Sequence, residues 1–147
     1  MSAYVVRDDA APLRLSVDPT ARSDWSYTGL SVVDLGAGDS RTLTLVGQEA
    51  LVIPLAADVD VEAAGQTYHL SRTSVFAGVP DAVYVPVGEQ FGLRGNGRIA
   101  VAAAVAAAAY PVAFLPASDV PVATRGAGAM TRLVRNIAMP GSFSGCE

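Results

Sequence analysis

Apolar and polar positions alternate along this chain in short runs, with turn-forming residues breaking the runs about every eight to twelve positions. The densest example is 71–88, SRTSVFAGVPDAVYVPVG. Apolar runs at 74–77 and 82–87 flank Gly78, Pro80 and Asp81, and Pro86, Val87 and Gly88 end the segment. Branched and aromatic side chains pack well on a pleated surface. Both runs are therefore expected to be strands, joined by a tight crossing and closed by a Pro-x-Gly corner.

The rest of the chain reads in the same way. Short apolar segments at 4–6 and 13–17 are expected edge strands around a turn at 8–12. A connection at 16–27 carries Trp25 and Tyr27, which are expected to lie over one mouth of a barrel as a packing lid rather than as a ligand platform. Strands are expected at 30–35 and 41–46, with Gly36 to Asp39 as the hairpin turn between them. The second of these alternates Leu43 and Leu45 against Thr42 and Thr44, the period of a half-buried strand. Further strands follow at 50–55, 58–63 and 67–70, with turns at Gly47 and Gly65.

Beyond the central stretch, 90–94 is expected to pair with 98–109 across a turn at Gly95-Asn96-Gly97. The alanine content of 98–109 favours a helix on propensity. The preceding Gly-Asn-Gly and the presence of Val101 and Val105 favour a last barrel strand. From Pro111 the texture changes: Pro116 and Pro121 imply an extended arm, Arg125 to Gly128 a turn, and 131–137 another strand. The expected architecture is all-β, an antiparallel jelly-roll barrel over 1–110 followed by a Pro/Gly-rich arm over 111–147.

Composition narrows the functional classes. Charged residues make up 16% of the 147 positions, against about 25% in ordinary globular domains, so part of the surface is expected to meet other protein. Net charge is −4 and every basic residue is arginine; without a basic cluster, general nucleic-acid binding is not expected. The uncharged stretch 99–117 is mostly alanine and broken by Pro111 and Pro116, which reads as buried sheet and not as a membrane span. Cys146 is the only cysteine, so no disulfide forms within one chain. With no signal-peptide pattern at the start, a cytoplasmic location is expected.

Candidate chemistry is sparse. His69 is the only histidine, and a three-ligand imidazole-rich metal site needs more; an ordinary structural or surface role is expected. Asp58, Asp60 and Glu62 read as a solvated edge protecting the sheet. Arg72 and Asp81 flank the central strands, as a buried pair or as the anchor of a turn. Arg132 and Arg135 fall on opposite strand faces, one of them toward a partner, and Asn136 could satisfy buried backbone groups there. Ser142 and Ser144 lack a neighbouring base. Gly36 and Gly38 precede a strand rather than a helix, so they are no dinucleotide fingerprint.

The turn and Pro-x-Gly arrangement resembles the cupin superfamily, whose members typically hold a metal on two His, a Glu and a third His. Gly38 matches the first motif glycine, but Thr44 and Val46 occupy the first two histidine positions. Glu49 stands near the carboxylate position, displaced by a residue or two. Gly78, Pro86 and Gly88 match the second motif, and Phe91 sits where its histidine would be. Five stretches (SYTGL at 26–30, SVFAG at 74–78, PDAVYVP at 80–86, RGAG at 125–128 and RNI at 135–137) are similar to the 5-deoxy-glucuronate isomerases of inositol catabolism.

That resemblance implies conversion of 5-deoxy-glucuronate to 5-dehydro-2-deoxy-gluconate by a protein roughly twice as long with two cupin barrels. A divalent metal would belong to the second, downstream barrel. On this reading the chain is the amino-terminal, non-catalytic half. It would contain no cofactor and would pack against the second barrel of its parent, with homo-oligomerisation also open. The alternative is a free-standing cupin that binds carbohydrate or assists assembly.

Overall fold

The computed structural model describes residues 13–19 and 25–139. The expectations for 4–6, 8–12, Ser142, Ser144 and Cys146 lie outside the described residues. Nine strands are present among the described residues: β1 (Leu13–Val17), β2 (Thr28–Thr44), β3 (Gln48–Ala63), β4 (Gln66–Arg72), β5 (Ala82–Val85), β6 (Gln90–Val105), β7 (Ala113–Leu115), β8 (Val122–Arg125) and β9 (Arg132–Arg135). Among the described residues the only helical pieces are two 3-10 turns, Ala117–Asp119 and Gly128–Met130.

One antiparallel sheet runs β1-β2-β6-β3-β5-β7, with β4 added to β3; β8 and β9 form a separate hairpin. β2, β3 and β6 carry 17, 16 and 16 residues, so each contributes to two layers. In one layer β2 pairs with β1 and β3 with β5, which in turn carries β7; in the other β3 pairs with β4. The β2–β6 pairing changes register between Leu35 and Asp39, opposite Gly97 and Gly95, and the β3–β6 pairing changes register close by, between Pro54 and Ala56, opposite Ile99 and Arg98. This shared bend folds the sheet over itself into the expected cupin-type jelly-roll barrel.

The bend corrects two expected turns. Gly36 to Asp39 and Gly95 to Gly97 do not reverse the chain: Gly36–Gly38 form a bulge in β2, and Gly95–Gly97 run without a break through β6 opposite it. Gly97 has φ +104, and a Cβ placed there would lie 2.3 Å from the Ala56 carbonyl oxygen. Gly95 and Gly97 are required by close backbone approach. The expected strand at 74–77 is also absent. Ala77 N donates to Ser74 O at 3.0 Å, closing a turn, and Phe76 stands in solvent. Asp58 and Glu62 do face solvent, but β3 lies between β4 and β6 and is not an edge.

The space between the layers is filled by hydrocarbon. Val33, Val52, Val83 and Ile99 from one layer meet Val59, Val61, Leu70, Phe91 and Leu93 from the other. Each such side chain contributes about 1.5–3 kcal/mol on burial. β5 is buried on both faces: Val83 and Val85 point into this core, while Ala82 and Tyr84 join a smaller cluster with Leu115, Tyr110 and Ile137. The sequence following Pro111 thus covers the outer face of β5 and adds β7 to its edge.

Candidate functional site

The place to look for chemistry in such a barrel is its interior. Phe91 occupies it from β6, almost fully buried among the core valines and leucines. The alternation of β3 that sends Ala50 and Val52 inward sends Glu49 outward, where Tyr84 Oη donates to its Oε2 at 2.7 Å. Thr44 and Val46 are exposed at the end of β2 and in the turn after it.

His69 lies on the outer face of β4, with 60% of its side chain accessible. Its Nδ1 is 2.9 Å from Asp60 Oδ1. Because a carboxylate only accepts, Nδ1 carries the hydrogen. Its Nε2 is 3.9 Å from Asp58 Oδ1. The Asp60 hydrogen bond raises the imidazole pKa above 6.5, partial burial opposes this, and the charges of Asp58 and Asp60 add to the rise. His69 and Glu49 therefore project from outer faces of different layers. The cupin resemblance implies a divalent metal, and this donor set does not fit one in the barrel. The interior offers hydrocarbon, and no group of three or more His, Cys, Asp or Glu suited to a metal occurs among the described residues.

The motif glycines and proline serve the backbone. Gly38 has φ +82 within the β2 bulge, and Gly78 has φ +103 after the Phe76 turn. Glu89 N donates to Pro86 O at 3.3 Å with Gly88 at φ +84, which makes the Pro-x-Gly corner. Arg72 anchors the neighbouring loop: its guanidinium donates to Val75 O at 2.8 Å, Gly78 O at 2.6 Å and Pro54 O at 3.3 Å. Its Nε is buried without an acceptor. Of the two alternatives for Arg72 and Asp81, a buried pair or the anchor of a turn, the structure shows Arg72 as a turn anchor with no bond to Asp81. Asp81 Oδ1 instead accepts from Ala117 N at 2.6 Å, tying the start of β5 to the segment after β7.

The aromatic lid is corrected as well. Tyr27 is 80% exposed, because β2 begins at Thr28 and leaves it beyond the layered region. Trp25 turns its indole N–H onto its own connection, 2.5 Å from Thr28 O and 3.1 Å from Thr28 Oγ1. Arg132 and Arg135 are both exposed on β9, Arg132 donating to Met130 O at 3.4 Å. Asn136 is half-buried and its backbone N–H donates to Pro121 O at 3.2 Å.

Two features escaped the sequence reading. Asp34 and Arg98, adjacent on β2 and β6, form a two-bond ion pair at 2.8 and 3.2 Å; only the register could reveal it. A polar groove of about 430 Å³ opens on the wall formed by β2, β6 and β3, lined by Ser40, Arg41, Thr42, Glu62, Gly92 and Arg94. It is open to solvent and encloses no reacting atom.

With this geometry in place, the comparisons with known proteins are decisive. The model of the KduI/IolB family matches residues 4–145. The chain belongs to that family. It is 34% identical over 131 residues to the 5-deoxy-glucuronate isomerase of Lacticaseibacillus casei, covering 85% of this chain and 48% of that one. Against the enzyme of the same name from Geobacillus thermodenitrificans it is 29% identical over 118 residues, covering 77% and 43%. The crystal structure of an IolB-like protein from Salmonella typhimurium LT2 superposes with a TM-score of 0.82 at 26% identity, covering 92% of this chain and 53% of that one. This KduI/IolB chain thus spans about half the length of the curated relatives it matches. Among its described residues no helix is long and apolar enough to cross a membrane.

Proposed function

We infer that this KduI/IolB chain is the amino-terminal, non-catalytic half of an isomerase that converts 5-deoxy-glucuronate to 5-dehydro-2-deoxy-gluconate in cytoplasmic inositol catabolism. The observation that carries this reading is Phe91, which fills the barrel interior at the position of the second cupin motif's histidine. An aldose–ketose isomerisation moves a proton between adjacent carbons, so it needs a base and stabilisation of an enediolate oxygen. The barrel interior presents neither: Phe91, Leu93 and the core valines exclude water and hold no proton. The role left to this half is mechanical, a rigid body that supports a second, metal-bearing barrel and helps to shape its boundary.

The test is an isomerase assay and metal analysis of the purified 147-residue chain. The expected result is no turnover and no stoichiometric metal. Turnover accompanied by one bound metal per chain would refute the non-catalytic assignment.

A further inference from the structure

The polar groove on the wall of β2, β6 and β3 has Gly92 at its floor. Thr42 of β2 and Glu62 of β3 stand directly opposite Gly92, one on each side. The adjacent Leu93 and Val61 point the other way, into the core. Residues two apart on a strand share a face, so Ser40, Thr42, Gly92, Arg94 and Glu62 lie together on the outer face. All five line the groove, with Arg41 beside them.

Nothing in the backbone calls for glycine at 92. On the same strand, a Cβ at Gly95 or Gly97 would lie 2.3 Å from a carbonyl oxygen. Gly92 is outside the positive-φ region. A Cβ there would meet only the Glu62 side chain, at ordinary contact distances of 3.6 Å to Cβ and 3.7 Å to Oε2. A β-branched residue would fit, and glycine inside a strand weakens it. What the missing side chain leaves is depth. The groove of about 430 Å³ falls within the span of about 300–1,000 Å³ usual for small-molecule sites.

The polar groups around that floor are the ones the wall leaves unmatched. Arg98 is paired with Asp34, Asp60 accepts from His69, and Gln90 donates to Thr44. Arg94 lies between Ser40 and Asp60. Yet among the described residues the side chains of Arg94, Arg41 and Glu62 form no ion pair or hydrogen bond. Guanidinium recognises a carboxylate through paired hydrogen bonds, while Glu62 and the two hydroxyls suit ligand hydroxyls. The negative charge of Glu62 opposes a doubly charged phosphate more than a carboxylate. No aromatic ring and none of the large exposed hydrophobics line the groove, so it lacks both a stacking platform and the apolar centre of a protein interface. We propose that the groove binds a small polyhydroxylated carboxylate of monosaccharide size, with its carboxylate on Arg94 and its hydroxyls on Ser40, Thr42 and Glu62. This goes beyond the isomerase reading, since it assigns a binding site without chemistry to the outer face of a barrel whose interior is closed.

Titration of the purified, isotope-labelled chain with glucuronate, glucose and inorganic phosphate in turn, followed by NMR, is the test. Circular dichroism and thermal unfolding confirm that each variant keeps its fold. Glucuronate is expected to bind saturably in the millimolar range that an open groove allows, shifting the amides of Thr42, Glu62, Gly92 and Arg94. Arg94→Gln is expected to weaken it by about tenfold or more, as loss of a charge-assisted hydrogen bond does. Gly92→Val fills the floor and is expected to abolish binding, whereas Arg135→Gln on β9 should leave it unchanged. Absence of saturable binding, glucose bound as tightly as glucuronate, or phosphate bound more tightly would each overturn the proposal. Shifts centred away from Gly92, or binding indifferent to both Arg94→Gln and Gly92→Val, would also overturn it. The titration reads no turnover, so its outcome is separate from that of the isomerase assay.

Discussion

The rings of Tyr68 and Phe114 stack with their centroids 6.4 Å apart and their planes 5° from parallel. Tyr68 lies on β4 in one layer, while Phe114 lies on β7 at the open side of the other. The pair therefore closes the seam where the folded sheet is not joined by backbone hydrogen bonds. It also shows that the sequence beyond Pro111 is integrated into the barrel and does not simply trail from it. Phe114→Ala is expected to lower stability by about 1–3 kcal/mol, given its partial burial. In a double-mutant cycle with Tyr68→Ala the coupling should be about 0.5–1.5 kcal/mol. Urea unfolding of the four proteins reads both quantities, and strict additivity would show that the contact contributes nothing specific.

The β3–β4 hairpin contains Ala64 at φ +49 followed by Gly65 at φ +73. Two successive positive φ values favour Asn-Gly, and alanine there carries a steric cost of roughly 1–2 kcal/mol. Ala64 is exposed, so replacing it loses no packing. Ala64→Asn is expected to raise stability by about 0.5–1 kcal/mol, visible as a higher thermal midpoint. A lower midpoint would contradict the turn assignment.

At the bend the opposite holds. Gly97→Ala would drive a methyl against the Ala56 carbonyl and the Ala57 Cα, at 2.3 and 2.5 Å, at a φ that side chains avoid. A loss of about 3 kcal/mol or more is expected. Gly65→Ala, also at positive φ but with nothing within 4 Å, should cost only about 1–2 kcal/mol. Chemical denaturation that ranked the two equally would mean that backbone approach does not set the identity of residue 97.

Phe91→His tests the barrel interior directly. It places an imidazole among Val61, Leu93 and their neighbours with no second ligand facing it. Burying an uncompensated polar group and losing aromatic packing should together cost about 3–5 kcal/mol. Metal analysis should find no stoichiometric zinc or manganese. Recovery of a tightly bound ion would show that other donors reach the interior.

His69 sets a weak pH dependence. Its folded pKa is raised by the Asp60 hydrogen bond, so the protonated form is favoured in the folded state. The resulting stability is fully present below the ordinary value of 6.5 and is lost as pH rises through the raised folded value. The side chain is mostly exposed, so the effect is small and screened by salt. NMR titration should place the imidazole above its value in Asp60→Asn, and His69→Gln should flatten the corresponding part of the stability curve.

Local pattern was enough to read β1, the β3–β4 hairpin at Gly65, the Pro86–Gly88 corner and the alternation that buries Val59 and Val61 while exposing Asp58 and Glu62. Those features follow from side-chain period and φ preference, which neighbouring residues determine. The scarcity of imidazole, with His69 alone, is likewise written in the composition. Tertiary structure alone decided that Gly36–Gly38 is a bulge in β2 and Gly95–Gly97 a continuous stretch of β6, and that neither is a reversal, because glycine serves both positive φ and close approach. Only the pairing of Leu35 with Gly97 and Asp39 with Gly95 distinguishes the two. It likewise decided that 74–77 is a turn, since Arg72 withdraws the Val75 and Gly78 carbonyls from any sheet. Such pairings join residues far apart in the chain, and a local pattern of hydrophobicity carries no record of which distant strand supplies the partner.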